Sequence, residues 1–245
     1  MSPIAPGALC REYLMSHAHS DTDVVIASCC GEKVIKCKLG DLYPHPYQYR
    51  VMKRSELLNY ASIYSSTLSH EVSLCHEEIH SLHHKALEVV QNDALDVIHP
   101  IKFSAAVLYK NSDIEVAWFL KALEYGNSLD PVSQLLVGME RRKHQNMKLK
   151  EQINSEAEDQ SNVVYDENYS IPHIILMTDQ FGVCHAPFAS ARTLLNEHGY
   201  SDVLVVIHHH PTVCYQTCRV GDLLPIPDGI ANLSHDDFLL VSSEF

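Results

Sequence analysis

Slid against itself by 181 residues, the chain aligns positions 5–47 with 186–228 without a gap, and 17 of the 43 pairs are identical. Composition alone gives about 3 such matches. A repeat of that strength constrains the architecture before any other feature, because both copies must suit one local fold. The identities fall in blocks. Ala5, Pro6, Ala8, Arg11 and Leu14 meet Ala186, Pro187, Ala189, Arg192 and Leu195, and Val24, Val25 and Ile26 meet Val205, Val206 and Ile207. Gly40, Asp41, Leu42, Pro44 and Pro46 meet Gly221, Asp222, Leu223, Pro225 and Pro227. The second copy closes a longer stretch. Residues 1–50 therefore read as the C-terminal half of one unit and 68–228 as a complete unit, with 51–67 a linker and 229–245 a tail.

Within the complete unit, Leu68, Val72, Cys75, Ile79, Leu82, Ala86 and Val89 recur at spacings of three and four, the buried stripe of an amphipathic helix. Short β-rich runs at 104–109 and 114–118 flank the turn residues Asn111, Ser112 and Asp113, which predicts a hairpin. Asp130 and Pro131 start a helix, with proline in the first turn where its missing donor costs nothing. That helix fades into polar sequence over 141–170, expected as a surface insert. A strand at 173–177, a helix at 187–198 and strands at 203–207 and 213–218 follow. The order α-β-β-α-β-α-β predicts an α/β fold, a mixed sheet sandwiched between helices. In the shorter copy the same reading gives one helix and strands at 24–26 and 34–38, too little to bury a core alone. It must borrow one, from the complete unit through a shared or facing sheet or from a second chain.

Hydrophobic residues make up 46% of the 245 and charged residues 20%, which suits a packed globular chain. A formal net charge of −13 repels phosphate backbones and argues against general nucleic-acid binding. Arg141, Arg142, Lys143, Lys148 and Lys150 form the one basic run, and Glu151, Glu156, Glu158 and Asp159 follow it at once, as on a solvated helix end. No apolar run reaches the length of a membrane span, and Arg11 and Glu12 stand where an export signal needs apolar residues. A cytoplasmic location with reduced cysteines is the expectation.

The hairpin leading to Tyr125 and Gly126, the Asp-Pro helix start, the Pro-led helix ending its first turn in Arg192, and the Leu223-Leu224-Pro225 turn together resemble the cytidine deaminase family. Pro6, Gly7, Ala8, Leu9, Cys10 and Arg11 repeat that pattern in the shorter copy. The resemblance implies a cytidine-deaminase-like α-β-α sandwich. It also implies a zinc site at two helix N-termini: a His or Cys, one residue and a proton-shuttling Glu from the first, and Pro-Cys with a second Cys three residues on from the second.

Each of those positions differs here. Asp130 stands at the first ligand, Val132 at the Glu, and Phe188 and Ala191 at the two Cys. Phe119 and Lys121 stand where the family offers Asn and Glu to the ribose, and neither accepts a hydroxyl proton as a carboxylate does. Cys10 keeps one ligand position in the shorter copy, but Gly7 replaces the other, and the first-helix motif would precede Met1. Tyr47 matches an aromatic that lines the family's pocket. The resemblance thus implies a non-catalytic protein without catalytic or substrate-binding residues and without zinc. Its expected role is a structural or dimerisation half of a nucleoside deaminase, as a homo-oligomer or beside a full-length deaminase subunit. The alternative is a zinc-dependent pyrimidine nucleoside deaminase of the salvage type with an atypical site.

Rival signals are weaker. His76, Glu77 and His80 fit the H-E-x-x-H pattern of zinc proteases on a predicted helix. His83 and Ala86 break its longer form, so adventitious metal binding by His76 and His80 is preferred to proteolysis. His208, His209 and His210 alternate faces on a strand and read as an exposed strand end. Cys29, Cys30, Cys214 and Cys218 read as small buried apolar groups.

Overall fold

Seven residues in succession, Phe103 to Tyr109, of which only Ser104 is polar, are all buried, as a strand covered on both faces requires. The computed structural model describes residues 5–17, 19–28, 33–47, 53–68, 77–123, 128–155, 166–208 and 215–225. His76, Tyr125, Gly126, His209, His210, Cys29, Cys30, Cys214 and the tail from 229 lie outside those residues. The elements run α1 (Ala8–His17), β1 (Asp23–Ala27), β2 (Val34–Lys38), the single turn α2 (Leu39–Leu42), α3 (Arg54–Leu68), α4 (Glu77–Val89), β3 (Phe103–Tyr109) and β4 (Ile114–Trp118). They continue through α5 (Pro131–Ser155), β5 (Pro172–Asp179), β6 (Cys184–His185), α6 (Ala189–Glu197), β7 (Leu204–His208) and β8 (Tyr215–Arg219), which ends in a 3-10 turn, Val220–Leu223.

The main sheet has the order β4-β3-β5-β7-β8, with β6 beside β5. Among the described strands only β5 and β7 are parallel, pairing Ile174 with Leu204 and Leu176 with Val206. Successive side chains of a strand point to opposite faces. Ala105, Val107, Ile175, Met177, Val205 and Ile207 therefore meet Val132, Leu135, Leu136, Met139, Ala191 and Leu195 of α5 and α6. Ala106, Leu108, Ile174, Leu176 and Val206 meet Ile79, Leu82 and Ala86 of α4 on the other side. The result is the expected α-β-α sandwich with a mixed sheet.

Three expectations are corrected. The linker over 51–67 is largely helical, because Leu57 and Ala61, four apart on one face of α3, are buried against Ile101 and Phe103. The insert over 141–170 begins as helix: α5 runs to Ser155, and Arg142 is held inward by Glu115 (2.7 Å) and Asp113 (2.9 Å) between the rings of Tyr109 and Tyr169. Gly138 leaves room on α5 for that Glu115 carboxylate. His208 is buried rather than an exposed strand end.

Among the described residues the shorter copy does not join the main sheet. β1 and β2 form their own antiparallel pair, and α1 packs against α6, with Ala8, Met15, Leu39 and Tyr43 clustered on Ala189 and Leu224. At the spacing of 181 residues α1 matches α6, β1 matches β7, β2 matches β8, and α2 matches the 3-10 turn. The two arginines related by the 181-residue offset, Arg11 and Arg192, knit the copies together. Arg192 donates to Pro187 O (2.7 Å) and Leu223 O (3.0 Å) in its own copy and to Pro44 O (2.7 Å) and His45 O (2.6 Å) in the other. Arg11 donates to Pro6 O (2.6 Å) and Leu42 O (3.0 Å) in its own copy and to Pro225 O (2.7 Å) across. Each guanidinium thus grips the corresponding turns of both copies. His45 takes a left-handed backbone, φ +50°, to present its carbonyl.

Removing residues 1–52 deletes two of the carbonyls on Arg192 and leaves a buried cation short of acceptors, at a cost of about 1–3 kcal/mol for each unmade bond. A chain of residues 53–245 is expected to melt below the full chain and to bind an apolar dye. An unchanged melting temperature with no dye binding contradicts this packing.

Candidate functional site

The N-termini of α5 and α6 face each other beside the tip of the shorter copy, and a single carboxylate joins them. Asp130 caps α5 by accepting from the Val132 N–H (3.0 Å) and the Ser133 N–H (2.9 Å) through Oδ1. Its Oδ2 accepts from the Ser133 hydroxyl and, across the gap, from the Ser190 hydroxyl on α6 (3.0 Å). An acceptor with four donors on its two oxygens is a satisfied buried cap.

The other expected ligand positions have no donor atoms to offer. Val132 and Ala191 are fully buried in the main core. Phe188 is the residue before α6, and its ring lies edge-on to Phe103 at 5.3 Å and Tyr47 at 5.7 Å and 5.8 Å from Phe119. Phe181 joins this aromatic cluster, which rests on Leu57, Ala61, Ile101 and Phe103. Tyr47 enters it from the shorter copy, within hydrogen-bond reach of His99 Nε2 (3.4 Å), and burial pushes its hydroxyl well above the usual phenol range.

Lys121 turns away from solvent. It pairs with Asp93 (2.9 Å) and donates to His99 O (2.8 Å) and Ile101 O (3.0 Å), while Asp93 accepts from the Phe103 N–H (3.0 Å). Burial raises the Asp93 carboxyl above its usual range, and the bonds from Lys121 and Phe103 pull it back. Asp93 carried no signal in the sequence, since a single acidic residue after a helix is unremarkable there.

Two further buried polar groups also escaped sequence reasoning. His185, next to Phe103 and Tyr47, pairs with Asp179 (2.9 Å), whose other oxygen accepts from the Phe181 and Val183 N–H groups. Behind the sheet, His83 bonds Tyr215 (2.9 Å) and Thr178 (3.2 Å), and His208 accepts from the Cys184 N–H (2.6 Å) while stacking on Tyr215. Burial draws His83 down to about 4 and His208 to about 3.

His80 and Glu77 are exposed on α4, and Cys10 is exposed on α1. Among the described residues no group of three His, Cys, Asp or Glu side chains is placed to hold a metal ion. No helix among them is long and apolar enough to cross a membrane.

The sequence matches no known family and no curated protein. Solved structures that it resembles include cytidine deaminase from Mycobacterium tuberculosis, at 18% identity over 62% of this chain and 97% of that one, with a TM-score of 0.43. Cytidine deaminase from Mycobacterium leprae gives 14% identity over 60% and 97%, with a TM-score of 0.41. That from Burkholderia pseudomallei gives 16% over 60% and 97%, with a TM-score of 0.42.

Two outcomes follow from this geometry. Asp130→Ala removes the cap and the link to Ser190, and urea denaturation is expected to show a loss of about 1–2 kcal/mol. The two histidines set a pH dependence. Their folded values lie below the ordinary 6.5, so the unfolded chain binds more protons between about 6.5 and 4. Stability is fully present above 6.5 and falls as pH drops through that window. The urea midpoint of His83→Gln should decline less steeply over it than that of the wild type.

Proposed function

We propose that this is a cytidine-deaminase-like protein without deaminase chemistry, serving as a structural or dimerisation half of a nucleoside deaminase. The observation that carries the reading is the donor set at the two helix ends. Of the three positions that would hold zinc, only Asp130 has a ligand atom, and both its oxygens already accept hydrogen bonds within the fold. Zinc requires three protein ligands and an open position for water at a catalytic site, and Phe188 and Ala191 supply none. Without a carboxylate at Val132 no group moves a proton to the leaving amine. The chain's residues do not fit the metal.

What stands there instead is structural. The bond from Ser190 to Asp130 ties α5 to α6, the two helices a metal would otherwise bridge. Phe188, Phe119 and Tyr47 pack into one aromatic cluster at the start of α6. Partners of a structural half are a second copy or a full-length deaminase chain.

Elemental analysis of the purified protein should find no stoichiometric zinc, and absorbance assays should find no deamination of cytidine or deoxycytidine. Chelator-sensitive turnover overturns the reading. So does one zinc per chain that is lost in Asp130→Ala and kept when His76 and His80 are replaced.

A further inference from the structure

At the end of the main sheet away from Asp130 lies an open cleft of about 600 Å³, lined by described residues. Lys143, on its wall, stands about 20 Å along the axis of α5 from Asp130. Strand and helix ends build it. Gly199, in the left-handed region at φ +83°, turns the chain out of α6, and the Tyr200 N–H closes that helix on Leu195 O (2.8 Å). The turn lays the Tyr200 ring against α5, where its hydroxyl donates to Glu140 (2.7 Å) and Lys143 stands over its face, 5.5 Å from the centroid. Across the cleft, the Lys110 N–H at the end of β3 bonds Ile171 O (2.9 Å), which sets Lys110 beside the start of β5. Ile171, Pro172, Val203 and Leu204 give the cleft an apolar floor.

The walls carry charge opposite to that of the whole chain. Lys110, Lys143, Arg219 and the imidazole of His173 line the cleft against one carboxylate, Asp202, in a chain of formal net charge −13. These cations are poorly neutralised. Lys110 and His173 have no side-chain hydrogen bond or ion pair among the described residues. Lys143 approaches Glu140 only to 3.7 Å, and that carboxylate already accepts from Tyr200 and lies 3.5 Å from His198. Arg219 pairs with Asp202 at 2.5 Å, but the two side chains are 61% and 91% exposed, and an ion pair that open to water is weak. A phosphate group makes a stronger, charge-assisted bond to the same guanidinium. An apolar floor with a few polar groups around it is the make-up of a small-molecule site, and the volume lies within the range of roughly 300–1,000 Å³ that such sites span. The surplus of positive charge is local, so the acidic surface beyond the cleft repels an extended polyanion while a small anion meets only the cations.

We propose that this cleft binds a small organic polyphosphate of nucleotide size, its phosphates between Lys110, Lys143 and Arg219 and its ring on the floor made by Ile171, Pro172 and Val203. Arg219 exchanges Asp202 for a phosphate oxygen, and Lys143 and Lys110 neutralise the remaining charge from α5 and β3. His173 adds a donor from the start of β5, since an imidazole carries an N–H in either tautomer. The site shares no residue with the helix ends around Asp130, so it stands whether or not those ends hold a metal.

Isothermal titration of the full chain with ATP, without divalent cations that would mask the phosphates, is expected to show one saturable site with a Kd below about 1 mM. Adenosine, which brings no charge to the cations, should bind at least about tenfold more weakly. Inorganic tripolyphosphate, which brings the charge without the ring, should also bind more weakly than ATP. Lys143→Glu and Arg219→Glu should each weaken ATP about tenfold or more, whereas Lys148→Glu, on an exposed part of α5 outside the cleft, should leave it unchanged. Should a variant fail to fold, the wild type alone decides the matter: ATP should slow chemical acetylation of Lys110 and Lys143 relative to Lys148, read by mass spectrometry. No saturable binding, adenosine or tripolyphosphate bound as tightly as ATP, an affinity that both charge reversals leave unchanged, or acetylation that ignores ATP overturns the proposal. A single-stranded oligodeoxynucleotide that occupies the cleft more tightly than ATP overturns it in favour of nucleic acid.

Discussion

The fold depends on two buried arginines that hold the same pair of turns from opposite sides. Arg192 reaches Leu223, Pro44 and His45, and Arg11 reaches Leu42 and Pro225, so turns 42–45 and 223–225 each bond to both guanidiniums. A planar guanidinium with five donors can serve several carbonyls at once and stays charged under burial, which an ammonium group cannot match. Burial draws the Arg192 pKa down, while the Tyr43 ring, 4.0 Å from its guanidinium carbon, and the nearby Glu12 favour the cation. Glu12 is itself shared, accepting from the Tyr43 hydroxyl (2.8 Å) and the Ala189 N–H at the start of α6 (3.3 Å). The polar lattice fixes the distance and angle between α1 and α6, and the apolar cluster around Ala8, Met15 and Leu224 fills in around it.

From that clamp the rest of the site follows in order. Holding Pro44 and His45 against Arg192 delivers Tyr47 into the aromatic cluster with Phe188, Phe103 and Phe119. Filling this space with rings removes water from Lys121 and Asp93 below it, and the pair then needs its backbone partners at His99, Ile101 and Phe103 to offset desolvation. Asp130 and Ser190 close the gap between the two helix ends.

Much of the architecture was legible because it rests on local patterning. The apolar runs of β3 and β5, the Asp-Pro start of α5 and the offset of 181 residues are all sequence properties, and the elements at 8–42 and 189–223 match pair by pair at that offset. The positions of Asp130, Val132, Phe188 and Ala191 at the helix ends were legible for the same reason. What the sequence hid was tertiary. Leu57 and Ala61 look like a linker's scattered apolar residues until Ile101 and Phe103 close over them. Arg142 reads as one of a solvated basic run, yet Glu115 on a neighbouring strand draws it inward. His208 reads as part of an exposed tract, and only the bond from the Cys184 N–H shows why it is buried. Each of these is decided by a partner far along the chain, which no local pattern encodes.

The central claim is that the two arginines act as one clamp through shared turns. Residues with common partners couple energetically, whereas independent sites add within about 0.3–0.5 kcal/mol. A double-mutant cycle with Arg11→Lys and Arg192→Lys, read by urea unfolding, measures this directly. The account predicts that the second substitution costs much less once the first is made, with a coupling of at least about 1 kcal/mol. Additive losses would show two separate caps and contradict the clamp.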